Sequence, residues 1–276
     1  MPTLSYRNLT ALDEFAQVVE LEREIWGVGY SDVVPVPLFA VTVKRGGILA
    51  GAFDGSRLVA FVYSFPAVKD RLASQWSHML GVLDPYRSTG VGLALKLLQR
   101  DRALAMGVDL VEWTYDPLQA LNAHLNFSKL GVVVHEYEEN IYGASTSVLH
   151  RGNPTDRFVA EWWIRKPHVE RRVAGPKLVV RSHEVADAAS ANRISAEREC
   201  ANVNLTLDAR RVRVEIPTGF TEMLAETPDL AMRWRLATRE IFTTYFARGY
   251  RAVDFFLDRA NGKGSYLLEA EPRTEN

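Results

Sequence analysis

The chain has 276 residues, 47% of them hydrophobic and 24% charged, with 33 basic against 34 acidic side chains. That is long enough for one domain and a smaller companion and apolar enough for a substantial core, yet too nearly neutral to present an overall field to nucleic acid or an anionic membrane. A single cysteine, Cys200, excludes an internal disulfide framework and a cysteine-based zinc cluster; no run of about 18 uncharged apolar residues can span a bilayer and the start reads as no leader, so the expected place is the cytoplasm.

In chain order, LSYRNL (4–9) predicts a short strand, and Leu12, Phe15, Ala16 and Val19 recur at the spacing of one helical face. Pro35 and Pro37 lie in an irregular stretch, and LFAVTVKRGG (38–47) fits a helix or a strand until Gly46 and Gly47 close it. Two apolar runs, GILAGAF (47–53) and RLVAFVYSF (57–65), flank Asp54-Gly55-Ser56, a strong hairpin signal. WSHMLGVL (76–83) adds a third strand. Val91, Leu93, Leu95, Leu97, Leu98 and Leu104 then predict a helix over about 90–106 stopped by Gly107. DLVEWTY (109–115) reads as a strand, PLQALNAHLNFSKLG (117–131) as a helix entered by Pro117, and VVVHEYEENIY (132–142) and RFVAEWWIR (157–165) as strands.

These elements make one mixed α/β unit over residues 1–166. The polar KPHVERRVAGPK (166–177) reads as a connection, and residues 167–276 as a smaller α+β lobe. In that lobe KLVVRS (177–182) is strand-like, and RRVRVEIP (210–217) alternates Val212, Val214 and Ile216 against Arg211, Arg213 and Glu215. Thr227-Pro228 starts a helix with Leu230, Trp234, Ala237, Ile241 and Tyr245 as its stripe, and two strands joined by residues 261–264 end the lobe. Its order of helix, glycine and strand echoes residues 117–143, which suits a degenerate duplication.

The chemistry concentrates in LDPYRSTGVGLAL (83–95), where a strand hands over to a helix. A helix start leaves backbone N–H groups without intrahelical partners and carries a partial positive charge, so a close-fitting turn there can hold phosphate oxygens. Gly90 and Gly92 remove the Cβ atoms that would keep a diphosphate away, Ser88 and Thr89 add hydroxyls, and Arg87 adds charge. Leu95 stands where a dinucleotide-binding G-x-G-x-x-G needs its third glycine, and no G-K-[ST] follows. A helix start merely packed against a strand would also use such residues.

The spacing Val82-x-x-x-x-Arg87-x-x-Gly90-x-Gly92, with a strand before and an amphipathic helix after, resembles the acyl-CoA-binding motif of the GNAT superfamily of N-acyltransferases. The resemblance covers residues 3–166 when LFAVTVKRG is taken as a helix, and SKLGVVV is similar to that family's ending of the fourth helix. The chain looks most like larger members with a C-terminal extension. It implies an α/β (α+β) fold with a mixed, mostly antiparallel sheet flanked by helices, and acetyl-CoA or another acyl-CoA as co-substrate. It also implies that Leu80 and Val82 lie along the pantetheine arm while Arg87, Ser88, Thr89, Gly90, Val91 and Gly92 wrap the diphosphate. Phe127 stands where many relatives have the tyrosine that protonates the leaving thiolate, which leaves that step to water or to a neighbour such as Asn126 or Tyr137.

The reaction so implied is acetyl or succinyl transfer to a small-molecule amine, such as an amino acid, or, as an alternative, an inactive CoA-binding or interaction module. His78 is a candidate base whose pKa suits the role, expected on the same strand face as Leu80 and Val82, and Glu112 is a second. Glu20, Glu22 and Glu24 read as a wet helix face. Arg210, Arg211, Arg213, Arg233, Arg235 and Arg239 could converge on a carboxylate of acceptor or acyl group, with solvated surface as the plainer alternative. The histidines show no metal-ligand spacing, so no metal is expected, and an apolar strand edge could pair two copies into a homodimer.

Overall fold

The computed structural model describes residues 3–27, 29–143, 152–175 and 187–271; KLVVRS (177–182) lies outside them. The chain divides into two compact units that part between Trp113 and Thr114, with Trp163–Arg165 returning to the first. Both are mixed α/β, with mostly antiparallel strands flanked by helices.

In the first unit the strands run in the order β1 (Ser5–Asn8), β2 (Ile48–Asp54), β3 (Arg57–Lys69), β4 (Leu72–Val82) and β5 (Leu110–Tyr115). All neighbours are antiparallel except β4 and β5. The hairpin is where Asp-Gly places it: Asp54 pairs with Arg57, and Gly55 takes φ +59°, a conformation glycine adopts without steric cost. The ambiguous 38–47 stretch is helical as α2 (Val36–Lys44), because Pro35 and Pro37 sit at the cap and in the first turn, where no intrahelical N–H is lost. With α1 (Leu12–Trp26) it covers one face, and Phe15, Val18 and Phe39 pack on Phe61 and Tyr63. On the other face α3 (Val91–Ala105) inserts Val91 and Leu95 into the core.

In the second unit the order is β7 (Arg157–Trp163), β6 (Val133–Glu138), β12 (Tyr250–Asp258), β13 (Lys263–Ala270), β11 (Arg211–Pro217) and β8 (Ala189–Ser190), with β9 (Arg193–Ile194) and β10 (Cys200–Ala201) paired separately. Trp162, Phe158, Phe242 and Tyr266 are buried in its core, with the Phe158 and Phe242 rings edge to face at 4.6 Å. The unit change expected at residue 166 thus falls elsewhere, since β6 pairs with β7 on one side and β12 on the other, so strands from both sides of residue 166 share one sheet. Two local expectations are also corrected. The supposed connection forms α5 (Pro167–Val173), nucleated by Pro167 in its first turn and anchored by buried Val169. The helix expected from Pro117 begins later, as α4 (Ala120–Ala123), because Asp116 closes a turn by accepting the Leu118 N–H at 2.9 Å; it then widens into a π-helix over His124–Leu130. Among the described residues the remaining α-helices are α6 (Phe220–Glu226) and α7 (Pro228–Ala247). Among the described residues no helix is long and apolar enough to cross a membrane.

Candidate functional site

After β4 the chain makes a 3-10 turn over Asp84–Tyr86 and enters α3 through Gly90. Within this turn the Tyr86 N–H donates to Leu83 O at 2.9 Å and the Arg87 N–H to Asp84 O at 3.1 Å, while the Thr89 hydroxyl bonds Tyr86 O at 2.6 Å. Among the described residues, the next six amides, Ser88 to Leu93, donate to no group of the protein. Ser88 at φ +60° and Gly90 at φ +96° are both left-handed, the kind of backbone that forms anion-binding concavities. Ser88, Thr89 and Gly90 are exposed, whereas the Val91 side chain is buried and pins the helix start to the core. A Cβ on Gly92 would meet only Leu80, at 3.7 Å, and one on Gly90 nothing within 4 Å, so no other group of the described chain crowds the missing Cβ of Gly90. Arg87 folds back on the turn, donating from Nε to Val82 O at 3.0 Å and pairing with Asp84 at 2.5 Å. The Val82 carbonyl, expected along a pantetheine arm, is therefore engaged by Arg87.

Beside this turn the sheet opens. β4 pairs with β5 only through Ser74, Gln75 and Trp76, opposite Leu110, Val111 and Glu112, although β4 runs on to Val82. Among the described residues, its later residues have no strand partner on the β5 side. At the same point β4 carries a bulge, since Tyr63 pairs with Met79 and Ser64 with Ser77, leaving His78 as the extra residue. This corrects the expected facing of His78. Leu80 points to Gly92 on the α3 side, whereas the His78 ring stands edge-on to Tyr63 at 6.1 Å and beside Phe65 at 5.8 Å. Tyr63 itself packs on Phe39 of α2, so the inserted residue carries the imidazole to the opposite face. His78 is exposed at its edge, but the flanking rings strip hydration and lower its pKa, favouring the neutral base.

Glu112 is buried and ion-paired with Lys69 at 3.0 Å. Asn126 belongs to the second unit, is buried in the π-helix, and its carbonyl accepts the Val132 N–H. Phe127 is buried beside it, edge-on to Tyr266 at 5.7 Å, and Tyr137 donates its hydroxyl to Asp156 at 2.7 Å. The arginines do not converge, because each has a carboxylate of its own chain. Arg235 grips Asp116 in a two-pronged pair at 2.8 and 2.6 Å, Arg239 grips Asp156 at 2.8 Å twice, and Arg233 pairs with Glu199. Arg210 and Arg211 both reach Glu269, and Arg213 lies 3.8 Å from Glu215, itself buried rather than outward-facing. Cys200 is half-buried and accepts a hydrogen bond from Asn192 Nδ2 at 3.2 Å; burial pushes its thiol up. Among the described residues no cluster of three or more histidine, cysteine or carboxylate side chains could hold a metal ion.

One group was misread as solvated. Glu22 is fully buried, one oxygen accepting the Val34 N–H at 2.8 Å and Oε1 without a partner among the described residues. Burial pushes its carboxyl up to about 7, and burial first, with the Glu22 charge behind it, raises the Tyr63 hydroxyl, which shares a hydrogen bond of 2.8 Å with Thr42. The signal was in the spacing, for position 22 continues the Phe15, Val18, Val19 stripe by three residues.

No protein-family model and no curated relative matches the sequence. Among solved structures, the chain is similar to GNAT-family acetyltransferases. A GNAT-family acetyltransferase from Streptococcus pneumoniae has a TM-score of 0.46 at 15% identity, covering 58% of this chain and 98% of that one. For Arabidopsis thaliana NAA60 in complex with a bisubstrate analogue the score is 0.47 at 14% identity, with coverages of 59% and 99%. For the ribosomal-protein-S18-alanine N-acetyltransferase from Escherichia coli it is 0.45 at 15% identity, with coverages of 58% and 92%.

Proposed function

We propose that this protein is an N-acyltransferase that moves an acetyl group, or a larger acyl group such as succinyl, from a coenzyme A thioester to a primary amine by direct transfer. The observation that carries this reading is the run of six unengaged amides from Ser88 to Leu93 at the start of α3, beside the unpaired edge of β4. The open space at the missing Cβ of Gly90 fits the approach of a diphosphate, and the dipole of α3 favours its charge. Ser88, Thr89, Gly90, Val91 and Gly92 would hold the diphosphate, with Arg87 turning outward from Val82 and Asp84 to reach it. The edge of β4 from Leu80 to Val82 would run along the pantetheine arm.

The bound thioester supplies the activated acyl group; the chain supplies position and proton management. An attacking amine has to be neutral, and His78, kept neutral by its aromatic flanks, accepts its proton. Glu112, ion-paired with Lys69, is the second candidate. Phe127 has no proton to give, so water protonates the departing thiolate.

Buried Phe127 favours a second reading, a module that binds CoA without turning it over. Calorimetric titration with CoA, followed by acetyl-CoA and succinyl-CoA with a panel of amino acids, polyamines, aminoglycosides and short peptides, separates the two. Binding with saturable thiol release supports the transferase, binding with no release from any acceptor supports the module, and absence of CoA binding removes both.

A further inference from the structure

Lys96 lies on α3 and is 2% exposed, with its amine inside the first unit. Nζ donates to Ser77 Oγ on β4 at 3.0 Å and to Gln99 Oε1 at 3.0 Å, and Gln99 Nε2 donates to the same Ser77 oxygen at 3.0 Å. The amine also stands 3.5 Å from the ring centre of Trp113 on β5. These contacts sit at a particular place in the sheet. Trp76 and Glu112 are the last pair between β4 and β5, and Ser77 and Trp113 are the next residue on each strand. Lys96 therefore touches both strands at the first step beyond their pairing, and Ser77 is also the residue beside the His78 bulge. Burial pushes the amine far below its ordinary range, and a methionine would fill similar volume without that desolvation. An amine kept at this cost points to a geometric task that an apolar side chain does not perform.

We infer that Lys96 is a positioning residue, a strut that fixes Ser77 and Trp113 where β4 and β5 part and so keeps the edge of β4 open for the pantetheine arm of the acyl carrier. This rests on the acyl-CoA reading above. The turn that would hold the diphosphate begins eleven residues beyond Ser77, at Ser88, and depends on none of the three polar contacts. Loss of the strut should accordingly separate the two ends of the ligand.

The test compares wild type with Lys96→Met for binding of CoA and of 3′-phospho-ADP, which carries the diphosphate but no pantetheine. The expected result is a loss of about tenfold in CoA affinity, unchanged affinity for 3′-phospho-ADP, and a melting temperature equal to or above wild type. The last two would not accompany a merely structural loss, which lowers stability and weakens both ligands. Equal weakening of both ligands, or of neither, overturns the inference. Should Lys96→Met fail to fold, Ser77→Ala removes the shared acceptor of both donors and is judged by the same two ligands. Wild type that binds neither ligand would instead remove the acyl-CoA reading.

Discussion

Burying Glu22 makes stability depend on pH with a definite sign. In the unfolded chain this carboxyl titrates near 4.5, and in the fold at about 7, so the protonated form is the one the fold prefers. Its favourable contribution is complete below 4.5 and is lost as pH rises through 7. Glu22→Gln should therefore match wild type near pH 4.5 and exceed it by about 3 kcal/mol at pH 8, read from urea unfolding at the two pH values. Arg235 gives the opposite case, a buried cation whose removal strands Asp116. Arg235→Ala should cost about 3 to 5 kcal/mol in thermal unfolding, and replacing both partners by apolar residues should recover much of it. At this scale the sequence was legible in pattern and silent on pairing. The stripe through position 22 was visible, but glutamate at that position weighed against burial. Arg235 and Arg239, four residues apart, announce charge without announcing that Asp116 and Asp156 answer it from far along the chain.

Between β4 and α3 the two glycines answer to different constraints. Gly90 needs its positive φ, so Gly90→Ala should lose about 1 to 2 kcal/mol of stability even though the added methyl meets nothing. Gly92 is an ordinary helical position with room for a Cβ, and alanine there should be neutral or up to about 1 kcal/mol more stable. If the amides hold a diphosphate, Gly92→Ala should nonetheless bind CoA about tenfold or more weakly, and calorimetry beside a melting curve reads both effects. The strand, turn and helix were legible because the period changes from 2 to 3.6 across residues 83–91. The bulge at His78 was not, since WSHMLGVL alternates acceptably with or without an extra residue and only the partner strand reveals the count.

For the molecule as a whole, the sharing of one sheet by strands on both sides of residue 166 sets what can be cut. A fragment ending at 166 would keep β6 and β7 but lose β11, β12 and β13, exposing the edge of β6 and half an aromatic core. It should be insoluble or unfolded, judged by gel filtration and circular dichroism; a stable monomeric fragment would contradict the shared sheet. The sequence suggested the cut at 166 because a polar segment with two prolines and a glycine begins there, and composition cannot show which strands later pair across it. Cys200 bears on the practical side of every turnover measurement. With one shielded sulfhydryl in 276 residues, a colorimetric reading of liberated CoA begins from a nearly flat baseline, and any drift from the polypeptide is capped at one equivalent per chain.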